Sequence, residues 1–168
     1  VVSRPDRPVG RKQVLTAPPV IEVARDRQIE YIQPPKRESK GVGPVLSDCG
    51  ADVAVVVAYG KLIPAALLEV PAHGFVNLHP SLLPRHRGPS PIQWSLVCGD
   101  RATGVTTMLI EEGLVRGPII LQQRVPIEDG VTAEMLAPRI ADVGADLIVR
   151  TLDELEAGTA NPRPQPSD

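Results

Sequence analysis

Asn77 and His79 are the two residues of this sequence whose types and spacing best suit chemistry. They lie in Gly74 to Gly88, GFVNLHPSLLPRHRG, where an apolar run (Phe75, Val76, Leu78) breaks into a loop carrying Pro80, Pro84 and Arg85 to Arg87. On a strand, side chains two apart project to one face. An amide donor and an imidazole can therefore converge on one oxygen. Such a pair suits attack of a neutral amine on a carbonyl carbon, with the amide stabilising the oxyanion and the histidine acting as general acid or electrostatic partner. An N-x-H triplet is short, however. Read alone, it is better explained by an Asn77 that satisfies a turn and a partly buried His79 at a strand end.

The elements that would position this pair are those of an α/β sheet, in which ligands bind at the carboxyl ends of strands. Phe75 to Leu78 reads as a strand. Asp52 to Tyr59, DVAVVVAY, is continuous and β-branched, which predicts a central parallel strand buried on both faces. Gly104 to Ile110 and Ile119 to Ile127 are joined by a short turn, which predicts a hairpin and hence a mixed sheet. Ile29 to Ile32 is a short strand candidate, and Pro34 to Gly43 reads as a polar connector. Helices are predicted after Thr16 as cap, over Pro64 to Val70, over Pro91 to Val97, and from Thr132, where Leu136, Ile140, Val143, Leu147, Ile148 and Leu152 recur at helical spacing. Pro138 should kink that last helix or delay its start. After Gly158 the proline-rich tail reads as a linker or frayed end.

Length and composition bound the alternatives. A chain of 168 residues with 42% apolar residues suits one α/β domain with a core, and 2% aromatics leaves that core to Val, Ile, Leu and Ala. A net charge of −2 excludes a generic nucleic-acid binder, so any basic surface is local. Arg4, Arg7, Arg11 and Lys12 form such a patch in the stretch RPDRPVGRKQ, which shows no helical or strand period and reads as an exposed loop, most simply a solvated one. Cys49 and Cys98 are far apart and lack clustered histidines, which predicts a reduced, metal-free protein. No stretch has the length and apolarity of a membrane span or leader, so a soluble, cytoplasmic protein is expected. The chain opens on Val1 as though on the end of a strand whose beginning lies upstream, where a targeting segment or a first βα unit would stand.

The stretch NLHPSLLPRHRG resembles the signature of the formyltransferase family that uses 10-formyltetrahydrofolate. RPDRPVGRKQVLTAPPV, VVVAYGKLIP, NLHPSLLPRHRGPSPIQWSL, GDRATGVTTMLIEEGL and GTANP follow in the family's order and span nearly the whole chain. Members acting on glycinamide ribonucleotide or on amino sugars share the folate motif. The basic RPDRPVGRK stretch is most similar to members that formylate methionyl-tRNA. The resemblance implies a Rossmann-like, doubly wound, mostly parallel sheet lacking its first βα unit. It implies a catalytic domain over residues 1–157 and, over 158–168, a linker toward a β-barrel domain not contained in this chain. It implies catalytic roles for Asn77 and His79, a folate pocket lined by Ser81, Leu82, Leu83 and Pro84, and tRNA contacts from Arg4, Arg7, Arg11 and Lys12. The formyl donor would be 10-formyltetrahydrofolate, without a metal. The acceptor would be initiator methionyl-tRNA, in translation initiation, and the enzyme a monomer.

One departure from the family pattern bears on activity. The family carries an aspartate in a segment resembling D-x-G-L-D-x-G. Here that segment is Glu111-Glu112-Gly113-Leu114-Val115-Arg116-Gly117, with Val115 in the aspartate's place. A carboxylate there would orient the histidine, raise its pKa and relay a proton through water, and valine does none of these. Three readings follow: Glu111 or Glu112 reaches the site, folate binding persists with weak or no turnover, or the sequence has been altered at this position. Impaired catalysis is preferred to a displaced glutamate, because those glutamates fall in an exposed turn. The competing functions are an inactive folate-binding module or fragment, and a formyltransferase acting on an amino sugar or other small amine.

Overall fold

A computed structural model describes residues 1–35, 42–111 and 115–166. They fall into two units, the first made of Val1–Ala51 with Tyr59–Val70, the second of Asp52–Ala58 with residues from Pro71 onward.

In the first unit the basic stretch is a β-hairpin. β1 (Arg7–Val9) pairs antiparallel with β2 (Val14–Thr16). The connection turns on Gly10 and Gln13, both at positive φ, and the Gln13 side-chain amide donates to the Gly10 carbonyl at 3.0 Å. The short, wholly exposed strands leave no buried face to write an alternating pattern, so the hairpin was invisible to periodicity. Thr16 ends β2 and its hydroxyl donates to the Val14 carbonyl, so it does not cap the helix as the sequence predicted. That helix, α1 (Pro19–Asp26), starts after Pro18 with no side-chain cap and buries Ile21 and Ala24. Among the described residues Ile32 forms an isolated parallel bridge to Val2 and no longer strand. α2 (Val42–Asp48) begins inside the predicted connector, most of which lies outside the described residues, and α3 (Ala65–Leu68) falls where a short helix was expected.

The second unit holds a sheet in the order β3 (Ala54–Val56), β4 (Phe75–His79), β5 (Ala102–Leu109), β6 (Ile119–Pro126). β3 and β4 are parallel, and the other two pairings are antiparallel. This is a Rossmann-like α/β arrangement with a mixed sheet, as the β5–β6 hairpin required, and with less parallel pairing than expected. The predicted central strand over Asp52 to Tyr59 shortens to β3. Among the described residues it is hydrogen-bonded along one edge only, and Val55 and Val57 are exposed.

One face of the sheet is covered by α4 (Pro91–Val97) and α5 (Ala133–Glu156). Val105, Val125, Leu136, Ile140 and Leu147 form the buried core there, with Leu78 packed against it. Thr132 caps α5 by accepting from the Met135 amide. α5 begins at once after Thr132, so Pro138 lies within the helix and does not delay it. Gly144 is required for this packing, because a Cβ there would lie 2.7 Å from Leu78 Cδ2. The other face carries a smaller cluster of Leu83, Met108 and Ile119, with Val115 against it. No helix among the described residues is long and apolar enough to cross a membrane.

Candidate active site

The second face is where β4 presents its polar pair. Leu78 faces the α5 core, so alternation along the strand turns Asn77 and His79 to the opposite side. Their neighbours across the antiparallel pairing are Met108 and Thr106. The side-chain amide of Asn77 makes no hydrogen bond among the described residues, and Asn77 is half-buried, which leaves it available to a ligand.

His79 is 5% exposed, and its Nε2 donates to the His86 carbonyl at 2.9 Å. That bond fixes the tautomer, since a carbonyl oxygen only accepts, and Nδ1 is the nitrogen left with a lone pair. Burial lowers the His79 pKa below its ordinary 6.5, with the His86 carbonyl partly opposing the shift. The ring is therefore neutral at pH 7, a proton acceptor at Nδ1 and a donor at Nε2.

The segment Ser81 to Pro84 lies over the same face, anchored by two side chains that sequence reasoning did not single out. Thr106, fully buried, donates its hydroxyl to the Ser81 carbonyl at 2.7 Å and accepts from the Leu83 amide at 3.2 Å. Gln122 on β6 donates to the Leu83 carbonyl at 3.0 Å and to Thr106 Oγ1 at 2.9 Å. Gly104 permits the approach, because a Cβ there would sit 2.5 Å from Leu82 Cδ2 and 2.3 Å from the Gln123 carbonyl oxygen. A glycine within a strand is the signal that could have exposed this close approach. The Leu83–Pro84 peptide is cis. Ser81 is fully buried, its hydroxyl donating to the Arg85 carbonyl, and Leu83 is 4% exposed. These two residues hold the segment down, while Leu82 and Pro84 keep access to solvent.

Asp100, between α4 and β5, holds the next turn of the loop. Arg85 donates to it through Nε at 2.9 Å and Nη2 at 2.5 Å, and His86 Nε2 lies 2.6 Å from Asp100 Oδ2. These partners, Arg85 foremost, lower the Asp100 pKa from 3.8 to about 2. The clamp places the His86 carbonyl that orients His79.

Val115 has φ 50°, a conformation rare for a β-branched residue and costing on the order of 1–2 kcal/mol. Its side chain packs against the Leu83, Met108 and Ile119 cluster. Met108 is the cross-strand partner of Asn77, so position 115 borders the same face of the sheet. Glu111 is exposed, and Glu112 lies outside the described residues. Arg4, Arg7, Arg11 and Lys12 are all exposed, on or beside the hairpin of the first unit. No group of three or more potential metal ligands occurs among the described residues.

Comparison with known proteins gives this geometry a family. The methionyl-tRNA formyltransferase of Thermodesulfovibrio yellowstonii is 46% identical over 165 residues, which cover 98% of this chain and 54% of that protein. The enzyme of the same name from Deinococcus radiodurans is 47% identical over 166 residues, covering 98% of this chain and 52% of that protein. The chain thus spans about half the length of these curated relatives. Among solved structures, phosphoribosylglycinamide formyltransferase from Bacillus halodurans superposes with a TM-score of 0.72 at 32% identity, covering 83% of this chain and 76% of its own. Residues 1–152, which contain the anchored loop, the Asn77 and His79 pair and the basic hairpin, match the family described as formyl transferase, and the chain belongs to that family.

Proposed function

We propose that this chain is the formyl-transferring part of an enzyme that moves a formyl group from 10-formyltetrahydrofolate to the amino group of methionyl-tRNA. The observation that carries the reading is the convergence of an unengaged Asn77 amide and an oriented His79 beside the pinned 81–84 segment. Relatives named methionyl-tRNA formyltransferase support this choice of acceptor. The exposed hairpin, with its cations and the exposed apolar Val9, Val14 and Leu15, suits docking on an RNA end, where the cations would meet phosphates.

The residues present fit the donor. Asn77 offers a free amide, and Leu82 and Pro84 offer apolar surface, the mixture a flat heterocyclic ligand needs. When bound, the donor supplies an activated formyl group on nitrogen. The Asn77 N–H would donate to the formyl oxygen where negative charge develops on it. His79, neutral and held by His86, would take the proton released by the attacking amine at Nδ1 and return it to the folate nitrogen as that nitrogen's bond to the formyl carbon breaks. The fixed loop keeps both groups in place without reorganisation.

Turnover is weak in this chain, because no carboxylate at position 115 supports the histidine. The test is formylation of charged initiator tRNA by the chain and by Val115→Asp. The substitution should raise kcat by about tenfold or more, up to the roughly 10²–10⁴-fold that general acid–base groups supply. Asn77→Ala or His79→Ala should abolish the activity in either background. Robust turnover with Val115 in place would refute the impairment. Tetrahydrofolate binding with no turnover in either form would favour the folate-binding module.

A further inference from the structure

The segment that follows α5 returns to the candidate site. Arg163 exchanges two backbone hydrogen bonds with Ile119, each 2.8 Å, at the start of β6. Two residues on, the Gln165 side chain enters between two loops. Its Nε2 donates to the Val115 carbonyl at 3.1 Å and the Gly117 carbonyl at 2.9 Å, and lies 3.9 Å from Met108 Sδ. Its Oε1 accepts from Arg87 Nε at 2.9 Å. Arg87 Nη2 also donates to the neighbouring Pro166 carbonyl at 3.3 Å.

We propose that Gln165 is a positioning residue, which couples the turn at Val115 to Gly117 to the loop at Arg85 to Arg87. An amide is the side-chain group that serves both partners: its two N–H bonds match two carbonyls on one side, and its oxygen matches a guanidinium on the other. The left-handed conformation at Val115 is one that persists where surrounding bonds over-determine it, and Gln165 grips the carbonyl of that residue. The loop on the other side carries, at His86, the carbonyl that orients His79. A residue outside the conspicuous motifs thereby sets the distance between position 115 and the histidine loop.

The catalytic part of this proposal rests on the formyl-transfer reading, so the test has two arms in the full chain. Hydrogen exchange by mass spectrometry decides the coupling itself. Gln165→Ala should speed exchange about tenfold in peptides covering both 85–88 and 115–119, with peptides of α5 unchanged. Gln165→Glu keeps an acceptor for Arg87 and loses the N–H donors, so it should loosen 115–119 alone. Unchanged exchange in Gln165→Ala, or equal loosening of both loops in the two variants, overturns the proposal. In the Val115→Asp background, Gln165→Ala should lower kcat about tenfold with KM for the folate donor within twofold. An unaltered kcat overturns the positioning role. Absence of turnover in the parent would fail the formyl-transfer reading alone, since the exchange arm still decides the coupling.

Discussion

Thr106→Val tests whether the 81–84 segment is held down as the geometry states. Valine keeps the shape of threonine and removes its hydroxyl, so packing at this fully buried position is preserved and the hydrogen bonds are lost. The buried Leu83 N–H loses its acceptor, a penalty of about 1–3 kcal/mol. The Ser81 carbonyl loses a bond worth roughly 0.5–1.5 kcal/mol. Gln122 retains the Leu83 carbonyl and solvent, so its share is small. The sum is about 1.5–4.5 kcal/mol, read as a drop in the urea midpoint at constant slope. Thr106→Ser keeps the oxygen and should lose less than half of that. If the segment also binds the donor, tetrahydrofolate affinity should fall by at least about tenfold in Thr106→Val, a 1.4 kcal/mol effect. A valine variant within about 0.5 kcal/mol of the parent, with unaltered ligand affinity, would refute the anchoring argument.

Two further predictions use the same face. Gly104→Ala drives a Cβ toward both Leu82 and the Gln123 carbonyl, so stability should fall by about 1–3 kcal/mol with the 81–84 segment displaced, seen as faster hydrogen exchange there. His79 has a folded pKa below 6.5 through burial, so as pH falls below about 6.5 the unfolded chain takes up a proton that the folded chain refuses. Stability attributable to His79 is therefore retained above that pH and declines beneath it. The slope of unfolding free energy against pH between about 6.5 and 5 should flatten in His79→Gln.

How much of this was legible follows from what each feature writes into the sequence. β4, β5, β6 and α5 were readable because each buries one face or a continuous apolar run, and the hairpin between β5 and β6 followed from a short connection. β3 was overread: apolar Asp52 to Tyr59 signals strand propensity, but pairing decides the extent, and only Ala54–Val56 finds a partner in β4. The β1–β2 hairpin was missed because an exposed hairpin leaves no periodic trace. In the site, Asn77 and His79 were marked by their spacing. Thr106, Gln122, Asp100 and Gln165 were not, since each acts across 14 to 78 residues of sequence. Spacing along one strand cannot show bonds between distant segments.

Position 115 connects the two kinds of information. Sequence resemblance places an aspartate there, and the backbone supplies a separate argument, because φ 50° is a conformation that Asn, Asp and Gly tolerate better than valine. Valine is thus unfavourable for the main chain as well as inert toward a histidine. What retains it is contact with Leu83, Met108 and Ile119, together with the Gln165 amide on its carbonyl. Aspartate would recover some of the backbone cost, roughly 1–2 kcal/mol, and forfeit the apolar packing of a valine, about 1.5–3 kcal/mol when fully buried. Val115 is only half-buried, so the smaller end of that loss applies and the two terms nearly cancel. Val115→Asp should therefore change stability by less than about 1 kcal/mol while restoring the carboxylate that the proposed mechanism lacks. A large loss of stability would show that the turn has been rebuilt around valine, and the site would then be one adapted to binding.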